Sequence, residues 1–343
     1  MKVMHVLQSH FYSGAENVAC QIIDLFKDEY EMAYTSANGP IAETLKTRGI
    51  KFFPLKQLTF FELKRVIDMY QPDVIHAHDV RASILSAYFS KNTKVISHLH
   101  GKTFDMGRLS IKSLLYRVNL KKYSKTIVVS KSILDEFYFK NKLKENCLLL
   151  GNVVDEKALL NKVEEAPYED YDFDLIYVGR LVYAKNPHRL IEIIKRVNQL
   201  LPSLKIGIVG DGELRQEVED IAKKSKITNL EFVGYKSNPY KILSKSKVMI
   251  MTSRMEGTPM VLLESMLLKV PVVSTPIDGI KEIVANGEDG FYTDNDDEMV
   301  EIIVALLSNE VLRSQIAKNV YNKALIINNM SNYANKLRAV YEN

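Results

Sequence analysis

The chain of 343 residues predicts an α/β protein made of two doubly wound, Rossmann-like domains facing across a cleft. Three observations predict it. Short β-rich runs alternate with amphipathic stretches, the alternation halts once in a polar acidic passage, and it then starts again. The length also suits two hydrophobic cores better than one.

In the first half, Lys2–Gln8, Glu31–Ser36, Asp73–His78, Lys94–Leu99 and Thr126–Ser130 read as strands. Helical periodicity covers Ala15–Phe26, Ile41–Arg48, Phe60–Tyr70, Val80–Phe89 and Ser110–Tyr123. The interrupting passage is Asp155–Asp172, which contains Pro167. Strands resume at Leu175–Val178, Lys205–Val209, Leu230–Val233, Val248–Thr252 and Val272–Ser274. Helices are expected at Pro187–Leu200, Glu213–Lys224, Pro259–Leu268, Lys281–Asn286 and Asp296–Leu307, and Val311–Tyr341 reads as mostly helical. The expected division is therefore 1–155, 156–325 and a closing helix over 326–343. In such folds ligands bind at the carboxyl ends of the strands.

Composition narrows the class. With 46% hydrophobic and 26% charged residues the chain is globular and not disordered. Cys20 and Cys147 lie in apolar surroundings and read as buried thiols, which fits a reducing cytoplasm. MKVMHVLQSHF at the amino terminus reads as a first strand, not a signal peptide, and no apolar run has the length of a membrane span. Residues 1–150 carry 22 Lys/Arg against 14 Asp/Glu, whereas residues 151–343 carry 24 against 28. Much of the basic excess lies between Lys102 and Lys144. No nucleic-acid-binding signature accompanies it, so an anionic membrane surface or a phosphorylated acceptor is the more economical partner. Within that region Met106–Tyr123 mixes Leu109, Ile111, Leu114, Leu115, Val118 and Leu120 with Arg108, Lys112, Arg117, Lys121 and Lys122. It reads either as a helix lying on a bilayer or as a core helix with a solvated basic edge.

The chemistry-bearing residues gather at strand ends. Strand Val248–Thr252 empties into Ser253-Arg254-Met255-Glu256-Gly257, and Thr258 and Pro259 can open the next helix. Free amides there, with the positive helix end, suit a phosphate or a sugar hydroxyl. Glu256 is placed to accept from hydroxyls. Glu264, inside that helix, is either a ligand-binding carboxylate or a surface group paired with lysine. Arg180 ends one strand and Lys185 precedes a helix that Pro187 can begin, a placement that brackets a diphosphate. Gly210-Asp211-Gly212 is a turn that can need glycine without touching ligand. In the first half, Gly14 opens a helix where backbone can approach phosphates. His76/His78/Asp79 and His98/His100/Gly101 sit at strand ends; His76 and His98 read as structural, and His100 as able to bond a sugar or the reacting oxygen. No tight Cys/His pair or HExxH run supports zinc, so no metal is assigned.

These residues bring a family into view. The chain resembles the retaining, nucleotide-sugar-dependent glycosyltransferases of family GT4, which have the GT-B fold. The resemblance spans nearly the full length. It covers SGAE at 13–16, PDVIHAH at 72–78, HLHG at 98–101, VVS at 128–130, GNVVD at 151–155, VGRLVYAKNP at 178–187, IVGDGELR at 208–215, FVGY at 232–235 and SRMEGTPMVLLESMLLKVPVVSTPIDGIKEIV at 253–284. The Glu-x7-Glu run with GRL and lysine ahead of it is specific in combination. Ser13 stands where many relatives have a second glycine, and Val153 where Asn-Gly-Val-Asp is more familiar.

The resemblance implies a hexosyltransferase of cell-surface glycan or lipid-linked glycan synthesis, with a UDP- or GDP-linked hexose or N-acetylhexosamine donor and no required cofactor. Glu256 would contact the donor sugar, Glu264 the ribose, and Arg180 and Lys185 the diphosphate. Gly257, Thr258, Pro259, Met260 and Val261 would hold sugar or phosphate through backbone, and Val233 would border the base. Gly14 would reach the phosphates, and His100 would lie near sugar and acceptor. The first domain would take the acceptor side and the second the nucleotide sugar. Attack on the leaving group's own face, with a diphosphate oxygen helping to deprotonate the acceptor, would retain configuration. The rivals are a nucleotide-sugar epimerase, a phosphorylase, an inverting transferase and a non-catalytic carbohydrate-binding protein. The expected location is cytoplasmic, peripheral on the inner face of the cell membrane.

Overall fold

The computed structural model of the chain describes residues 1–101, 105–166 and 171–343; Lys102 and Pro167 lie outside them. The chain forms two compact units, Met1–Asn152 with Met330–Asn343, and Val153–Asn329.

In the first unit, β1 (Lys2–Val6), β2 (Glu31–Ala37), β3 (Phe52–Leu55), β4 (Val74–His78), β5 (Lys94–Leu99), β6 (Lys125–Val128) and β7 (Cys147–Leu149) form a parallel sheet in the order β3-β2-β1-β4-β5-β6-β7. Helices cover its faces, so the central strands are buried nearly throughout: Val3, Met4 and Val6 of β1 have no exposed surface. Strand order reverses between β1 and β4, which makes the loops after those strands the natural ligand position.

The second unit repeats the plan. Its strands β8 (Leu175–Val178), β9 (Ile206–Val209), β10 (Leu230–Gly234), β11 (Val248–Met251), β12 (Val272–Ser274) and β13 (Phe291–Tyr292) lie parallel in the order β10-β9-β8-β11-β12-β13. Here the order reverses between β8 and β11. Helix Pro187–Leu200 shows why such helices form: Pro at the first turn pre-sets φ, and Leu190, Ile191, Ile193, Ile194 and Val197 make one fully buried stripe. At roughly 1.5–3 kcal/mol for each such side chain, that stripe is the main term holding the helix to the sheet.

The final helix, Met330–Glu342, belongs to the first unit. Its buried Leu337 and Tyr341 pack there, and the Tyr341 hydroxyl lies 2.8 Å from His76 Nδ1. Arg338 pairs with Glu29 at 2.7 Å, and Tyr30 donates to Glu342 at 2.9 Å.

Several elements differ from expectation. Strands β3, β7 and β13 lie at sheet edges and are only four, three and two residues long, too short to carry a periodic signal. Pro54 in β3 is tolerated because an edge strand need not donate on both sides. The acidic passage holds a helix, Glu156–Glu165, capped by Asp155, which accepts from Ala158 N–H at 2.9 Å. One buried leucine, Leu159, anchors it, so its composition resembles a linker. The helix expected over 281–286 instead spans Asp278–Lys281. Both cysteines are free thiols; Cys147 is half-buried rather than buried, and burial still pushes its thiol up to about 11. Among the described residues, no helix is long and apolar enough to cross a membrane.

Candidate functional site

At the switch point of the second unit, the loops after β8 and β11 are tied together. Thr252 Oγ1 donates to the carbonyls of Lys185 and Asn186, both at 3.1 Å. Asn186 adopts a left-handed φ of 53° immediately before Pro187, and Arg254 donates to its Oδ1 at 2.8 Å. The Arg254 guanidinium lies 4.6 Å over the Tyr183 ring. The result is a fixed platform at the top of the sheet.

On that platform Lys185 Nζ and Glu256 Oε1 form an ion pair, and Ser253 Oγ donates to the same carboxylate oxygen at 2.6 Å. Both charged side chains are mostly shielded, at 19% and 12% exposed. Separate roles on phosphate and sugar were expected for these two residues; the structure makes them direct partners, 71 positions apart in sequence. Arg180 is exposed, with no ion-pair partner among the described residues. Its carbonyl accepts from the Tyr177 hydroxyl at 3.0 Å. Burial, and then the charge of Glu256, raise the Tyr177 phenol, while Arg180 opposes them, so this tyrosine senses both charged groups.

Two glycines explain the rigidity of these loops. A Cβ on Gly210, at φ +147°, would lie 1.9 Å from the Gly179 carbonyl oxygen, and Leu181 N–H donates to Asp211 O at 2.9 Å. The Gly-Asp-Gly turn therefore braces the backbone on either side of Arg180. Likewise, a Cβ on Gly279 would lie 1.6 Å from the Gly257 carbonyl oxygen, so the loop after β12 can only nest under the Glu256 loop without a side chain there.

Helix Met260–Leu267 begins later than expected. Pro259 occupies the cap position in extended backbone and no side chain caps the helix, so Thr258 does not serve as the cap. Its first-turn amides gain no acceptor from the cap residue, with Gly257, Thr258, Pro259 and Met260 buried and Val261 half-buried. Glu264 is not a surface carboxylate. It is 6% exposed and accepts from the Tyr240 hydroxyl at 2.9 Å. Val233 is half-buried beside a register shift in β10, and Gly234 O accepts from Gly210 N–H at 2.8 Å.

In the first unit, Gly14 starts helix Gly14–Phe26, is exposed, and has open space where a Cβ would stand. Ser13 does not cap the helix; its hydroxyl donates to Glu16 at 2.5 Å. Around the ends of β1, β4 and β5 five histidines stack. His5 pairs in register with His76, and His78 with His98, and period-two alternation places all five on one face. His5 Nδ1 lies 2.9 Å from His78 Nε2, and His78 Nδ1 lies 2.7 Å from His100 Nε2. A second row runs from Tyr341 through His76 to His98, with His76 Nε2 3.1 Å from His98 Nδ1. Burial pushes His5 and His100 down to about 3 and holds His76, His78 and His98 well below the usual range, with neighbouring rings adding to the effect in all but His100. His100 keeps part of its ring surface in solvent, although its Nδ1 does not. Two trios, His5/His76/His78 and His78/His98/His100, bring ring nitrogens within 4.8 Å of one another. In each trio two rings already share a hydrogen bond, His5 with His78 or His78 with His100, and the third ring, His76 or His98, bonds within the other row, so an ion would compete with those bonds.

Comparison with known proteins places the fold and the family. Anabaena HepE in complex with UDP and glucose superposes with a TM-score of 0.80 at 20% identity, covering 99% of this chain and 100% of that one. The architecture is GT-B. Residues 161–323 match the family described as glycosyl transferases group 1, and residues 18–157 match glycosyltransferase family 4. An uncharacterized glycosyltransferase of Methanocaldococcus jannaschii is 30% identical over 80% of this chain and 76% of its own. The Escherichia coli UDP-Gal:α-D-GlcNAc-diphosphoundecaprenol α-1,3-galactosyltransferase is 24% identical over 99% of this chain and 96% of its own. The chain belongs to the GT4-related glycosyltransferases.

Sequence reasoning missed Ser253, Tyr240, Tyr177 and His5 as members of these clusters. Tyr240 and His5 lie 24 and 73 positions from their partners, and Ser253 and Tyr177, though three positions from theirs, carry no signal of which way their hydroxyls turn.

Proposed function

We propose that the chain transfers a hexose or N-acetylhexosamine unit from a UDP- or GDP-linked sugar to a hydroxyl of a glycan or lipid-linked acceptor, with retention of anomeric configuration. The observation that carries this reading is the Glu256–Lys185–Ser253 cluster at the end of β11, beside the amino end of helix Met260–Leu267. Glu256 accepts from the donor sugar's hydroxyls, and Glu264, oriented by Tyr240, from the ribose. Arg180 and Lys185 bind the diphosphate and stabilise charge developing on the leaving group. A diphosphate must draw Lys185 partly away from Glu256, which frees that carboxylate for the sugar at the same moment. Gly257, Thr258, Pro259, Met260 and Val261 offer backbone to sugar or phosphate, and Val233 borders the base. Gly14 approaches the phosphates, and His100 lies near sugar and acceptor. The second unit is the nucleotide-sugar domain and the first the acceptor domain. The E. coli relative, and a Campylobacter jejuni N-acetylgalactosaminyltransferase 24% identical over 93% of this chain, carry names that specify undecaprenol-linked acceptors. Retention follows the family resemblance.

The test is a panel of nucleotide sugars offered with soluble and lipid-linked acceptors, read by product mass and by anomeric configuration. Glu256→Gln is expected to lower kcat about a hundredfold with the fold intact. Full transfer by that variant, or an inverted product, overturns the corresponding assignment.

A second observation favours action at the inner face of the cytoplasmic membrane. In helix Ile111–Asn119 the buried side is Ser113, Tyr116 and Asn119, while Ile111, Leu114, Leu115 and Val118 are exposed, as is Leu109 before it. Exposed apolar residues interspersed with Lys112, Arg117, Lys121 and Lys122 suit an anionic bilayer better than a core. Flotation with anionic vesicles at low salt should carry the protein, and Lys121→Gln with Lys122→Gln should weaken it. Absence of flotation rejects membrane docking.

A further inference from the structure

Lys185 stands on a short piece of irregular backbone. Tyr183–Lys185 make a single turn of 3₁₀ helix, and Asn186 follows in left-handed backbone at φ 53° before Pro187 starts the next helix. One such turn holds itself poorly, and a non-glycine residue in left-handed backbone costs on the order of 1 kcal/mol. The loop therefore depends on bracing by its neighbours. Buried Thr252 braces it from within, through the carbonyls of Lys185 and Asn186, and Arg254 braces it from the exposed side.

Arg254 makes three contacts with this loop, and in sequence they fall on both sides of Lys185. Its backbone N–H donates to Ala184 O at 2.8 Å, its Nη2 donates to Asn186 Oδ1 at 2.8 Å, and its guanidinium lies 4.6 Å over the Tyr183 ring. Tyr183 is 66% exposed, so its ring gains little from burial and instead gives the guanidinium a flat face to lie on. The bond to Asn186 ties down the side chain of the one left-handed residue. Arg254 also stands two positions before Glu256 on the loop after β11. It therefore joins the loop that carries the cation of the Lys185–Glu256 pair to the loop that carries the anion.

We infer that Arg254 is a positioning residue that fixes Lys185 for the diphosphate of the donor. The inference rests on the reading of Lys185 as a diphosphate ligand. When the diphosphate draws the ammonium from Glu256, the lysine side chain must swing while the backbone beneath it stays in place. Thr252 alone leaves Tyr183 and the Asn186 amide, the outer half of the turn, untied. With the guanidinium bound there, only the lysine torsions remain to be ordered, so less entropy is lost when the ammonium meets a phosphate oxygen. The guanidinium itself is committed to Asn186 and Tyr183 and is assigned no phosphate.

Calorimetric titration of the intact protein with UDP and with GDP tests this. Arg254→Met should weaken binding of the accepted nucleotide about fivefold. Urea unfolding should change little, because the backbone bond to Ala184 and the two bonds from Thr252 remain. Arg254→Lys keeps the charge but cannot both lie flat on Tyr183 and hold Asn186, so it should recover less than about half of the loss. In a Lys185→Met background, Arg254→Met should add nothing, since it acts only through the lysine. A further loss of about fivefold in that double variant, or full recovery with Arg254→Lys, means that the guanidinium charge meets the diphosphate itself, and overturns the inference. Unchanged binding in Arg254→Met, where Lys185→Met weakens it, overturns the inference alone. Unchanged binding in Lys185→Met, or no binding of either nucleotide by the wild type, overturns the reading of the donor site and the inference with it.

Discussion

Acidification tests the buried histidine layer most directly. His5 titrates at about 3 in the fold against 6.5 for the free side chain, because burial penalises its charged form. The unfolded chain therefore binds more protons than the folded one between those values, and stability falls as pH drops through about 6.5. The stabilisation is fully present above that value. At about pH 5 the unfolded histidine has gained a proton that the folded one refuses, a cost of about 2 kcal/mol for His5. His100 has the same shift but a partly solvated ring, so its share is at most about 2 kcal/mol. His76, His78 and His98 act in the same direction. One group opposes them: burial raises Asp79 to about 6, so the fold takes up a proton there first and regains about 1 kcal/mol by about pH 5. The net expectation, with those three histidines adding to the balance of His5, His100 and Asp79, is a loss of at least about 3 kcal/mol between about pH 7.5 and pH 5. Urea unfolding followed by circular dichroism at the two pH values gives the size, and amide exchange locates it. Protection should fall in β1, β4 and β5 before it falls in β8 and β11. A loss below about 1 kcal/mol, or one confined to the second unit, refutes the reasoning.

Three further outcomes follow from contacts described above. Gly279→Ala places a carbon against a backbone carbonyl that has no flexible end to yield, so a stability loss of about 2–4 kcal/mol in urea and loss of transfer are expected; a neutral variant would show that the loop shifts freely. Tyr240→Phe removes a donor from buried Glu264 and should weaken binding of UDP or GDP, whichever the protein accepts, by about three- to tenfold in calorimetry, whereas unchanged binding removes Glu264 from the nucleotide site. Tyr341→Phe strips His76 Nδ1 of its partner and should cost about 1 kcal/mol, measured as a shift in the urea midpoint of the first unit, with the second unit unmoved.

The central strands were legible because burial on both faces writes short, largely apolar runs into the sequence, as in Val248–Met251. Edge strands β3, β7 and β13 were not, since a short edge needs no apolar run. The loop residues Arg180, Lys185, Glu256 and Glu264 were legible through their spacing from strand ends. Their partners were not: nothing local says that Lys185 meets Glu256, or that Glu264 turns inward to Tyr240. The two His-x-His runs were visible, but stacking requires the register of β4 against β5 and of β1 against β4, which only the folded sheet supplies. For residues 109–118 the mixture of apolar and basic side chains left two faces in competition, and packing of Tyr116 decided which one turned inward.

The first unit is completed by residues 330–343, which are made after the whole of the second unit. Synthesis order and completion order are therefore opposed. Residues 153–329 can close their own core while the earlier-made sheet still lacks the helix carrying Leu337 and Tyr341. Until that helix arrives, the apolar surface it covers and the His76 end of the second histidine row remain open during translation. Nascent chains stopped just short of residue 330 should accordingly show a protease-resistant second unit beside a protease-sensitive first one.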